Sequence, residues 1–169
     1  AMREVFEREA GEGRGRGRPK VTIELVPQTE HVIVVKLSIN EIQVALGDFT
    51  GSTAATRTRS IDTRALSASE LVKAIVETVE RCHAEMAPGY GPCLGIGLAV
   101  QGLVRDSDVI AWSPALSVRD VDIVNPLADR FGLHVYAAND ANCIAMAIRN
   151  RNFEVHRAAN QAALAASMT

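Results

Sequence analysis

The sequence predicts a mixed α/β domain, a five-stranded sheet with helices on both faces. Three features predict it. Three strand-like runs, HVIVVKLSI, EIQVALGDF and AATRTRSID, follow one another across short turns, which is the pattern of a meander. A long helical repeat comes next, opened by an S-x-x-E cap. Strand and helix patterns then alternate through CLGIGLAV, a helix near 122–131, LHVYAAND and ANCIAMAIRN. A doubly wound domain would alternate from the start; a meander followed by alternation gives a sheet of mixed direction.

The bulk numbers bound what such a domain can do. The 169 residues suffice for one domain with a core, and a hydrophobic share of 47% is not that of a disordered chain. A net charge of -2 and a pI near 6.1 argue against a nucleic-acid surface spread over the whole domain. No apolar run approaches the roughly 20 residues a bilayer-crossing helix needs, and no signal-peptide core opens the chain, so no membrane partner is expected. Cys82, Cys93 and Cys143 lack paired spacing and read as small buried residues of a reducing compartment, the cytoplasm.

Ala1-Met2 carries no structural weight, and residues 1–19, which include GEGRGRGRP, read as a basic Gly/Arg linker or tail. Arg14, Arg16 and Arg18 could touch DNA phosphates, although the glycine alternation fits a linker better. VTIELV is a strand ended by Pro27. The four apolar residues Val32–Val35 predict a central strand buried on both faces. Asn40-Glu41 predicts a tight hairpin, and Asp48–Gly51 a second turn. Ile42, Val44 and Leu46 share one face, while Arg57 and Arg59 read as the solvated, protective face of an edge strand. Ser67 and Glu70 cap a helix whose Leu71, Val72, Ile75, Val76, Val79, Cys82 and Met86 recur at helical spacing until Pro88-Gly89. Gly95 and Gly97 lie inside the next strand, where close packing of that helix explains them better than a nucleotide motif. Gly102 ends this strand, a short one covers Val109–Trp112, and Gly132 stops the second helix. Trp112 reads as a half-buried anchor before it reads as a stacking platform for a ligand.

Gly102 and the pair Asn139-Asp140 both fall at the carboxyl ends of strands, where sheets of this kind collect ligands. By spacing alone, Asn139 or Asp140 is first the N-cap of the helix ANCIAMA and second a ligand group. The two roles are compatible.

The element order is that of the ribonuclease H-like lobe of actin-like ATPases. LGIGLAVQGLVRDSDVIAWSPAL, then PLADRFGLHVYAANDANCIAMA, with GRGRP ahead of them, resembles the ROK family of repressors and sugar kinases over about Gly13 to Asn160. The GRGRP stretch is similar to that of its xylose-repressor-like regulators. The resemblance implies two actin-like lobes with a sugar in the cleft between them, residues 20–169 being the first lobe and the second lobe and winged helix lying outside this chain. It also implies that Asp140 holds the position of the kinases' general base, that Asn139 binds sugar, and that Gly102 lets backbone approach the sugar. A homodimer is implied as well, with DNA reached only through the winged helix.

Departures from the family pattern set the expected function. In KLSINE, Lys36 stands for the aspartate of the kinases' phosphate loop and Ser38-Ile39 for its two glycines. A lysine cannot support a metal, and a β-branched Ile39 suits positive φ poorly, so no nucleotide site is expected. Ala115 replaces an asparagine that contacts sugar in many relatives, and Gln101 a common proline. The family zinc motif C-x-C-G-x-x-G-C is absent, Cys82-His83 cannot converge on one metal, and no cofactor is expected. RAANQAALAASMT is either the first strand of a second lobe or, by its alanines, a helix, and the exposed face of a single lobe predicts dimerisation, swapping or marginal stability. The expectation is therefore a sugar- or sugar-phosphate-sensing part of a ROK repressor without kinase activity. A ROK sugar kinase, or a protein-interaction module, is the alternative.

Overall fold

The computed structural model describes residues 2–6 and 21–149, with no side-chain account of 2–6 or 21–24. Arg14, Arg16, Arg18 and the tail RAANQAALAASMT lie outside the described residues. Within the stretch read as a linker, Met2–Phe6 is a strand (β1) that pairs antiparallel with Val21–Leu25 (β2) in a separate two-stranded sheet. Composition hid β1, because its MREVF is short and precedes the glycine run.

The main sheet holds His31–Ser38 (β3), Glu41–Asp48 (β4), Thr53–Ser60 (β5), Cys93–Val100 (β6) and Val135–Asn139 (β10), in the order β10-β6-β3-β4-β5. β3, β4 and β5 form the expected antiparallel meander, and β6 and β10 join in parallel. Leu103–Arg105 (β7), Val109–Trp112 (β8) and Val121–Asp122 (β9) make a small antiparallel sheet beside it. Ala68–Met86 (α1) and Val124–Phe131 (α2) are joined by a third helix over 140–149 (α3). None of the described helices is long and apolar enough to cross a membrane.

Alternation decides which face is buried. Ile33, Val35 and Leu37 of β3, Ile42, Val44 and Leu46 of β4, and Ile96, Leu98 and Val100 of β6 all point to one side and are essentially inaccessible. Leu71, Ile75 and Val79 of α1 and Leu127 of α2 close over them. Each such side chain contributes about 1.5–3 kcal/mol on burial. The four-residue apolar run is thus misleading: β3 is central, but its burial alternates and Val34 is 40% exposed. Both α1 and α2 pack on the core side and are tied together by an Arg130–Glu80 ion pair. Among the described residues no helix covers Val34, Lys36 and Gly97 on the other face.

The local signals mostly hold. Ser67 and Glu70 form the full capping box, and α1 buries Leu71, Ala74, Ile75, Thr78, Val79, Cys82 and Met86. Val72 and Val76 flank this stripe, partly buried. Gly132 adopts φ 63 at the end of α2. The first hairpin turns one residue earlier than expected, on Ile39-Asn40, with Ser38 opposite Glu41. Asn40 takes the positive φ of 58, as asparagine tolerates, so Ile39 escapes the strained position. The edge arginines remain solvated, as expected, and also lean over α1: Arg57 pairs with Glu85, and Arg59 reaches Glu77 and the Ala74 carbonyl. Nor do Gly95 and Gly97 receive α1. A Cβ at Gly95 would lie 2.9 Å from the His134 carbonyl oxygen, while one at Gly97 would meet nothing within 4 Å.

Candidate functional site

The three residues singled out at strand ends come together. β6 and β10 run parallel with Val100 opposite Asn139, so the turn after β6 and the start of α3 emerge side by side. Gly102 lies in that turn, and its carbonyl accepts a hydrogen bond from Asn139 Nδ2. An open cavity of about 280 Å³ adjoins them, lined by Gly102, Leu103, Ser107, Tyr136, Asn139 and Asn142 among others. The β7–β8 hairpin walls it and is fastened to β10 by Ala137 N–H donating to the Ser107 carbonyl.

Asn139 is a helix cap. Its Oδ1 accepts from the backbone amides of Ala141 (2.9 Å) and Asn142 (3.3 Å), satisfying donors that the first turn of α3 would leave free. With Nδ2 also engaged on Gly102, one N–H of the side chain remains to offer a ligand. Asp140 is the first helical residue. One carboxylate oxygen accepts from the Ala141 amide at 2.9 Å, and the other accepts nothing among the described residues. Asn139, which lines the cavity, and its neighbour Asp140 thus keep one donor and one acceptor oxygen free, a set that suits vicinal hydroxyls. Behind it, burial first and the Asp140 charge second push the Cys143 thiol up from its ordinary range.

Gly102 owes its identity to its own chain. It has φ +126, and a Cβ there would fall 2.2 Å from the Trp112 carbonyl oxygen and 2.8 Å from Ser113 Cα. Close approach is required, but by residues 112 and 113 rather than by a ligand. Trp112 itself is 44% exposed on β8 beside Leu103, between an anchor and a platform.

Pattern alone missed a buried polar link between the two loops at this end of the sheet. Thr63 is fully buried, and its Oγ1 accepts from Asn40 N–H (3.2 Å) and donates to the Ala115 carbonyl (2.6 Å). Ile61 N–H donates to the Asn40 carbonyl, Ser113 Oγ accepts from Ala115 N–H, and Arg64 places two guanidinium N–H groups on the Pro114 carbonyl. The 39–40 turn is thus bonded through Thr63 to the 113–116 loop. Ala115 is inaccessible, with both backbone groups engaged. Lys36 lies on the uncovered sheet face, between Gln43 and Ala99. A threonine in DTRAL carries no periodic or motif signal, which is why only the fold shows it.

Around this end of the lobe, Leu103, Tyr136, Ile144, Met146 and Ile148 are all more than half exposed. Such an apolar rim belongs to a surface that another body covers.

Comparison with known proteins agrees with the geometry. A family model described as ROK family matches residues 32–163. A putative xylose repressor of Caldicellulosiruptor sp. (strain Rt8B.4) is 29% identical over 143 residues, covering 84% of this chain and 35% of that protein. Of solved structures, a ROK family transcriptional regulator, a homolog of E. coli MLC protein, superposes with a TM-score of 0.63 at 19% identity, over 82% of this chain and 34% of its own. A ROK hexokinase from Thermus thermophilus gives 0.56 at 26% identity, over 66% of this chain and 36% of that one. The chain spans about a third of the length of the relatives it matches, and it belongs to the ROK family.

Proposed function

We propose that this ROK-family chain is the first lobe of the effector domain of a transcriptional repressor, sensing a sugar or sugar phosphate and transferring no phosphate. The observation that carries the reading is the closed turn at Ile39-Asn40. Backbone amides of a phosphate loop must point at the nucleotide. The Asn40 amide instead donates to Thr63 Oγ1, and Lys36 stands where the resemblance puts the metal-supporting aspartate. Its similarity to a protein named as a xylose repressor supports the same side of the family.

In this reading residues 20–169 form one wall of a sugar cleft. The free N–H of Asn139 and the free oxygen of Asp140 bind hydroxyls, and a second lobe closes on the apolar rim. Binding shifts the population between two lobe arrangements of a homodimer. DNA is reached through a winged helix joined by the Gly/Arg segment, which carries the weak phosphate contacts of Arg14, Arg16 and Arg18. Neither a nucleotide nor a metal takes part.

The retained Asp140, and the likeness to a hexokinase, favour a ROK sugar kinase as the second reading. One experiment separates them. The complete two-lobed protein is titrated calorimetrically with pentoses and hexoses, xylose included, and assayed for sugar phosphorylation with ATP and magnesium. Binding without turnover, weakened by Asp140→Ala, is expected. ATP-dependent phosphorylation would overturn the repressor reading, and unchanged binding in Asp140→Ala would return the pair to capping alone. No binding of any sugar would favour a protein-interaction module.

A further inference from the structure

At the opposite end of the sheet from the cleft, two histidines meet. His31 opens β3 and is 3% exposed; His83 lies in the last turn of α1. Their Nε2 atoms are 3.1 Å apart, and the ring centroids 5.2 Å. The centroid separation exceeds the nitrogen separation by about two ring radii, so the rings meet end-on rather than face to face. His31 Nδ1 is 2.8 Å from the Gly91 carbonyl oxygen, which can only accept. Nδ1 of His31 therefore carries a proton. In the neutral ring its Nε2 accepts, and His83 Nε2–H donates to it.

This pair fastens the segment through which the chain enters the main sheet. Residues 27–31 lie on the loop 88–92: Gly91 N–H donates to the Gln28 carbonyl, and His31 N–H to that of Pro92. A Cβ on Gly91 would collide with the Thr29 carbonyl oxygen at 1.8 Å, so the two segments are in full contact. Tyr90 packs edge-on against His31, its ring centroid 6.0 Å away. Among the described residues neither imidazole is ion-paired with a carboxylate; Glu80, one turn before His83, is taken by Arg130, and Glu85 by Arg57 and Arg81.

We propose that His31 and His83 form an acid-sensitive latch holding the entry segment to the foot of α1. The end-on pair accommodates one added proton, because a charged ring still donates to the neutral one. A second proton sets N–H against N–H and two like charges at 3.1 Å, and the latch opens. Burial first, and the His31 charge second, hold His83 below its ordinary 6.5. The unfolded chain thus binds more protons than the folded one, and the stabilisation present above 6.5 is lost as pH falls through the lowered folded value.

The test is hydrogen exchange at the Gly91 and His31 amides, corrected for intrinsic rates, at about pH 7.5 and about pH 5. His83→Gln serves as the comparison, because an amide can donate to a neutral His31 and, turned over, accept from a charged one. Protection is expected to fall at least about threefold on acidification in the unsubstituted chain, and by less than about twofold in His83→Gln. Equal losses in both, or none in the unsubstituted chain, overturn the latch. Should His83→Gln not fold, imidazole nitrogen shifts of the unsubstituted chain decide. Fixed tautomers above pH 7, Nδ1–H on His31 and Nε2–H on His83, are expected, and an Nε2–H tautomer on His31 or mixed tautomers on both rings overturn it.

Discussion

Gly102→Ala tests whether the glycine after β6 serves the fold or a ligand. Two costs add at this position. Holding alanine at φ +126 costs about 1–3 kcal/mol. The new methyl would also lie 2.2 Å from the Trp112 carbonyl oxygen, and driving backbone out of that overlap costs about another 1–3 kcal/mol. Gly132→Ala isolates the first cost, since Gly132 has φ +63 with nothing within 4 Å of a Cβ, and about 1–2 kcal/mol is expected. The two variants should therefore differ by about 2 kcal/mol, a large part of a stability of about 5–15 kcal/mol. Urea unfolding, with a slope of about 1–3 kcal/mol per molar, would show Gly102→Ala melting roughly 1 M below Gly132→Ala. The difference must appear without any sugar present. Equal midpoints for the two variants, together with a lost sugar response only in Gly102→Ala, would refute the structural reason and restore the ligand as the reason for glycine.

Thr63→Val keeps the shape of the buried link but removes its hydroxyl. The buried Ala115 carbonyl then loses its partner, at about 1–3 kcal/mol, while the Asn40 amide can turn to water, and Thr63→Ser should recover most of the loss; a Val variant as stable as the parent would remove the link. Ser67→Ala removes the cap of α1 and should cost about 1 kcal/mol near neutral pH in thermal or urea unfolding. The Ser67 hydroxyl, then its backbone amide, hold the Glu70 carboxyl below 4.5. That contribution is complete above 4.5 and fades as pH falls through the lowered value, so the gap between parent and variant should narrow in acid; a constant gap refutes the pairing.

The sequence made the meander, the order of strands and helices, and the capping box legible because each rests on local chemistry: alternation, 3.6-residue spacing and a reciprocal Ser67–Glu70 bond. What it misread depends on long-range placement. A run of four apolar residues cannot reveal that one sheet face is left uncovered at Val34. The ion pairs that the solvated Arg57 and Arg59 make appear only once α1 is laid beside β5. Gly95 answers to the His134 backbone, 39 positions on, which no local pattern encodes. At the site, the sequence placed Gly102, Asn139 and Asp140 at neighbouring strand ends. It could not apportion their bonds. Thr63 and His31 were invisible as partners because Asn40 and Ala115, or Gly91 and His83, are distant in the chain.

The Asn139-Asp140 pair and the 39–40 turn differ, for one physical reason, in how much bonding capacity they leave free. A cap satisfies itself with one side of each group: Asn139 and Asp140 bond the first amides of α3 and still leave an N–H and a carboxylate oxygen outward. Capping and the proposed sugar binding are therefore compatible. A phosphate loop offers no such economy, because its function lies in amides that stay unbonded until nucleotide arrives. Once Asn40 donates inward to Thr63, and Thr63 onward to the buried Ala115 carbonyl, freeing that amide would cost the fully buried Thr63 hydroxyl the one hydrogen bond it accepts. The same link gives the sensing reading a route. In the proposed reading a sugar that moved the Gly102 turn would press on Trp112 and Ser113, and Ser113 Oγ holds the Ala115 amide whose carbonyl Thr63 holds. Strain at the proposed sugar position would thus reach the 39–40 turn through the Gly102 packing and three hydrogen bonds, two of which Thr63→Val removes.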